Sequence, residues 1–163
     1  MKKLNIILVI LSLLLLVGCQ AKDTILTKNI VKAIDNEGGE NGTCQIRMKD
    51  VTNFKWDKMV MYGLSSSNEE VSKALGVAYD VPTDLVSGLV FAYNHKIVGE
   101  EIVPYYPEYP NRLQYWTRGE STSFCLSFTP DNAIFEGSRE KREKKDDIGN
   151  AGDYYYVMTA ITK

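Results

Sequence analysis

The chain has 163 residues, 44% hydrophobic and 25% charged, a balance that suits one soluble domain and leaves no room for a comfortable second core. It holds one histidine and carries a formal charge of −2, so Ser-His or Cys-His nucleophiles and metal sites built on paired imidazoles have little to draw on.

Lys2 and Lys3 open the chain, followed by an apolar run from Leu4 to Val17 broken only by Asn5 and Ser12, and then by small Gly18 and Cys19. This is the three-part pattern of a secretory signal peptide. The run is shorter than the roughly 20 apolar residues of a spanning helix, and it lacks the polar face that a helix on a soluble core would show to water. The ending Leu16-Val17-Gly18-Cys19 resembles the lipobox of bacterial lipoproteins. That resemblance implies cleavage before Cys19, whose sulfur then carries a diacylglyceryl group. Residues 1–18 are then the signal peptide and 19–23 a lipidated tether. Each buried acyl methylene contributes about 0.8 kcal/mol, and two chains hold where one is marginal. The expected location is the cell membrane or outer membrane, on a side facing away from the cytoplasm. Gln20 differs from the Asp that, in that family, resembles an inner-membrane retention signal. Removing residues 1–18 takes Lys2 and Lys3 from the −2 balance and leaves −4, which argues against nucleic acid or an anionic surface as partner.

Residues 24–163 read as one globular domain. Leu26, Ile30, Ala33 and Ile34 recur at helical spacing between Thr24 and Glu37. Asp23 or Thr24 can cap this helix and Gly38-Gly39 can end it. Its polar side, Lys28, Lys32, Asp35 and Glu37, is mixed in sign, which favours packing on the domain over lying along a membrane. Cys44 to Lys49 alternates as a half-buried strand, with Cys44, Ile46 and Met48 on one face. A second strand is expected from Phe54 to Tyr62. Ser67 and Glu70 have capping-box spacing before a short helix that stops at Gly76. Asn94-His95 fits a two-residue hairpin loop between Leu89–Tyr93 and Lys96–Val103. Three prolines confine 104–110 to a loop or an edge. Phe124, Leu126 and Phe128 alternate with Ser123, Cys125 and Ser127, and residues 129–132 turn the chain into Ala133–Glu136 as a second hairpin. A mobile charged loop is expected over 137–152, and Tyr154–Ile161 suits a central strand. The class is α+β: a mainly antiparallel sheet of about six strands with one N-terminal helix and one short internal helix.

Cys44 and Cys125 either bridge across a long loop, as an extracytoplasmic compartment permits, or remain free thiols. Glu100-Glu101 and Asp57 are expected as surface or strand-edge charges. Thr52-Asn53-Phe54-Lys55-Trp56-Asp57 is similar to a segment of small uncharacterised bacterial envelope lipoproteins, a likeness that implies no activity; Phe54 and Trp56 are expected as core anchors and Asp57 as the group fixing a turn. Tyr105, Tyr106 and Tyr109, near Trp116 and the prolines, either form a binding surface of stiff aromatics or cover one end of the sheet. The expected function is a non-enzymatic, lipid-anchored binding domain with no cofactor or metal, meeting the membrane through its anchor and an envelope or extracellular protein through the aromatic patch. The alternatives are an envelope hydrolase using a carboxylate pair and an inhibitor or immunity lipoprotein acting against a secreted enzyme.

Overall fold

The computed structural model describes residues 23–38, 42–81, 85–104, 112–118, 124–141 and 154–161. These contain α1 (Ile25–Glu37), β1 (Thr43–Arg47), α2 (Met48–Val51), β2 (Lys58–Tyr62), α3 (Asn68–Leu75), β3 (Val86–Tyr93), β4 (Lys96–Pro104), β5 (Leu113–Thr117), β6 (Cys125–Phe128), β7 (Ile134–Lys141) and β8 (Tyr154–Ala160). Among the described residues no helix is long and apolar enough to cross a membrane. The class is α+β, with strands dominant.

The expected single sheet is two sheets of four strands, ordered β1-β7-β8-β5 and β4-β3-β2-β6. Every pair is antiparallel except β5 with β8, which run parallel. The cause of the split lies at residues 129–132. Thr129 N–H donates to Asn132 Oδ1 at 2.6 Å and Ala133 N–H to Thr129 O at 3.0 Å. This tight turn sends the chain from one sheet to the other, so β6 and β7 do not form the expected hairpin. The Phe128 and Phe135 rings meet across the gap at 5.1 Å.

The main core lies between the sheets. Met59, Met61, Leu89 and Phe91 face Ile46, Phe135 and Met158, and α1 contributes Leu26, Ile30, Val31 and Ile34. Thus α1 packs on the domain as its apolar spacing requires. Gly137 permits its close approach, because a Cβ there would stand 2.8 Å from Ile34 Cγ1. Thr24 caps the helix, accepting from Thr27 N–H at 3.1 Å. A second cluster covers the opposite face of β2 and β3, where Val60, Tyr62 and Val90 meet Val71 and Leu75 of α3. Both parts of the Ser67–Glu70 capping box are formed, and Gly76 ends α3 at φ 78°, a left-handed conformation that glycine adopts without a Cβ penalty.

The β3–β4 turn has φ of 50° at Asn94 and 59° at His95, the signs a type I′ loop requires. The expected strand from Phe54 is shorter and starts at Lys58, because residues 52–57 serve as an anchor. Trp56 Nε1–H donates to Thr52 Oγ1 at 3.0 Å, and Phe54 and Trp56 meet Phe91 edge-on at 5.2 and 5.5 Å. Asp57 Oδ2 accepts the Asn94 N–H at 2.9 Å. The tryptophan and aspartate therefore serve separate partners, one the core and the other the hairpin turn.

Of the span 137–152, expected as a mobile charged loop, the first five residues are strand. Gly137–Lys141 belong to β7 and pair with Met158–Tyr154 of β8, and the remainder lies outside the described residues. As expected, β8 is central in its sheet.

Candidate functional site

Two places hold exposed or polar side chains in arrangements that packing alone does not require: the groove beside the N-terminus of α1, and strand β5.

The groove has a volume of about 220 Å³. It lies between the first turn of α1, residues 51–54 and the middle of β4, with Ile25, Asn29, Asn53, Phe54 and Glu101 among its walls. Asn29 Nδ2–H donates to Val51 O at 2.9 Å and joins α1 to α2. Glu101, expected at the surface, is 4% exposed. Its carboxylate accepts from Thr24 Oγ1 on one oxygen and from Thr27 Oγ1 at 2.8 Å on the other. Burial raises the Glu101 pKa, the two threonine hydroxyls oppose that rise, and the negative charge of Asp23 adds to it. A carboxylate in this position couples the cap of α1 to β4.

Asp23 is held in turn by Arg112, with Nη1 and Oδ2 2.8 Å apart. Burial is the largest single influence on the Arg112 pKa and lowers it, but the hydrogen bonds and charges of Asp23 and Tyr156 together outweigh it, and the net shift is upward. The Arg112 guanidinium also lies over the Tyr156 ring at 5.6 Å. Tyr156 O–H donates to Asp35 Oδ1 at 2.8 Å, and Arg139 approaches the same oxygen at 3.4 Å. Asp23, just before α1, is thereby tied to the residue preceding β5, and Asp35, within α1, to β7 and β8.

Among the described strands, β5 forms one edge of its sheet. Leu113 and Tyr115 point into the core, whereas Gln114 and Trp116 alternate to the other face. Trp116 is 51% exposed, and its Nε1–H donates to Gln114 Oε1 at 3.1 Å. Of the aromatic patch expected from the sequence, Trp116 alone can be placed; Tyr105, Tyr106 and Tyr109 lie outside the described residues, as does Cys19.

The remaining candidates separate. Cys44 and Cys125 are free thiols, and the bridge considered above is not formed. The two sit in different sheets, Cys44 against the core between the sheets and Cys125 against the cluster under α3. Burial raises both thiol pKa values, which keeps them in the less nucleophilic protonated form. Glu100 points away from Glu101, as strand alternation demands, and accepts from Tyr79 O–H at 2.9 Å. Asp57, Glu100 and Glu101 therefore each have their own local donor. Among the described residues no three His, Cys, Asp or Glu side chains group as ion ligands.

The strand β5 and the Thr24–Thr27–Glu101 lock were not read from the sequence. A five-residue alternation, Leu113-Gln114-Tyr115-Trp116-Thr117, was the available signal for β5. Nothing local signals the lock, whose partners are 74 and 77 residues apart. No protein-family model, curated protein or solved structure matches the chain.

Proposed function

We propose that the protein is a lipid-anchored extracytoplasmic binding domain, held to a membrane by diacylglyceryl-Cys19 and recognising an envelope or extracellular protein through Trp116 on the edge strand β5, together with Tyr105, Tyr106 and Tyr109 just before that strand in sequence. The observation that carries this reading is the exposure of Trp116. A large aromatic ring left in water on a sheet edge is costly to leave bare and supplies contact area at little entropic cost when covered. Among the described strands, β5 has a neighbour on one side only, the arrangement that strand addition uses.

The signal-like N-terminus supports the anchored half of the proposal. The described chain begins its first helix two residues after Asp23, so a lipidated Cys19 would hold the domain on a leash of a few residues. The experiment is photo-crosslinking in intact cells, with a photoreactive amino acid at Trp116 and, as control, at Lys73 on α3. A discrete crosslinked protein from position 116 that is missing from position 73 is the expected result. The same bands from both positions, or none from 116, would refute the binding assignment.

A further inference from the structure

Resting on the reading that Cys19 is lipidated, we propose that the outward stripe of α1 (Ile25, Lys28 and Lys32) is the membrane-facing side of the domain, laid against the phospholipid surface that receives the acyl chains.

The tether has a short reach. Four peptide units separate Cys19 from Asp23, and at up to about 3.6 Å each they span at most about 14 Å. Asp23 is not free to wander at the end of that leash, because Arg112 holds it at 2.8 Å and the adjoining cap is bound to buried Glu101. The acyl chains would therefore pull on a rigid point of the fold, beside the first turn of α1.

What lies beside that point is a stripe of suitable chemistry. Ile25 is 65% exposed, the highest value among the exposed large hydrophobic side chains of the described residues. Lys28 and Lys32 are exposed as well and follow Ile25 at offsets of three and seven, which places all three on one helical face. Of the acidic groups nearest these lysines, Asp23 is paired with Arg112, and Asp35, which follows Lys28 and Lys32 at seven and three, is engaged by Tyr156 and Arg139. No ion pair within the described residues engages either lysine. An apolar side chain at the tether end followed by two ammonium groups fits acyl-chain boundary and headgroup phosphate in that order. The net charge of −4 left on the mature chain gives the whole molecule no attraction to such a surface. The lipid supplies the attraction, and the stripe selects the side.

The far reference point is the β3–β4 turn. Lys96 precedes Glu101 by five residues on β4, about 17 Å along the strand at about 3.3 Å per residue, so Asn94-His95 should stand off the bilayer. The test uses the full-length protein, processed and lipidated in cells, ¹⁵N-labelled, and placed in nanodiscs of phosphatidylethanolamine and phosphatidylglycerol doped with a gadolinium-chelating lipid. Intact mass is recorded first. The expected result is relaxation enhancement several-fold larger at the amides of Ile25, Lys28 and Lys32 than at His95, with the contrast at least halved in a Lys28→Glu, Lys32→Glu variant. Equal enhancement along the chain, a maximum at His95 or Trp116, or a contrast indifferent to the charge reversal would overturn the orientation while leaving lipidation standing. A mass without the diacylglyceryl group would overturn the anchoring reading and this inference together.

Discussion

Glu101 shows how one side chain can organise a region. Its carboxylate sits in the interior against two threonine hydroxyls, with Asp23 and Tyr115 also within electrostatic reach. Because burial raises its pKa in the folded state, the fold binds this proton more tightly than the unfolded chain does. Stability should therefore fall as pH rises from the ordinary glutamate range through the raised value of Glu101, and the loss is complete above it. Glu101→Gln should flatten that part of the pH profile and leave stability at neutral pH equal or higher; urea titrations of both proteins across the acidic range would show it. An unchanged profile in the variant would mean that Glu101 does not cause the slope. Trp56 makes a different kind of contribution. Buried at the edge of Phe91 and bonded to Thr52, it should cost about 3–5 kcal/mol on change to Ala, whereas the exposed Trp116→Ala should stay within about 0.5 kcal/mol. Equal losses at the two tryptophans would remove the distinction between anchor and surface on which the binding proposal depends.

At the scale of elements, what could be read from the sequence was whatever is encoded within a few residues. The Thr24 cap, the Ser67–Glu70 box, the Gly76 stop and the Asn94-His95 turn are all local, and each is present. Ser67→Ala should cost about 1 kcal/mol through the orphaned Glu70 N–H, measurable as a shifted denaturation midpoint with unchanged slope. The alternation of β5 was also present but only five residues long, and its neighbourhood of prolines and tyrosines reads more naturally as a loop. The docking of α1 depends on a position that no local pattern marks. A Cβ at Gly137 would press on Ile34 and Ile46, so Gly137→Ala should destabilise by about 1–3 kcal/mol. A neutral result would show that α1 does not sit tightly on β7.

For the whole molecule, strand alternation identifies faces but not neighbours. The inward set Phe124, Leu126 and Phe128 is correct as a face, yet the turn at 129–132 distributes β6 and β7 between two sheets, and with them Cys125 and Cys44. Unfolding the mature, unreduced protein should therefore expose two reactive thiols, in addition to a Cys19 already blocked by lipid; a count of none would mean a bridge. The candidate surface followed the same rule: Trp116 is visibly exposed once β5 is placed, whereas in sequence it was one aromatic among many. Anchoring, and with it the orientation of α1, depends on what happens to Cys19, and intact mass spectrometry of the membrane-extracted protein tests that most directly. A chain beginning at Cys19 and heavier by a diacylglyceryl group, lost from the membrane fraction on Cys19→Ala, is the predicted result. An unprocessed chain of unmodified mass, retained in the membrane by wild type and variant alike, would contradict it.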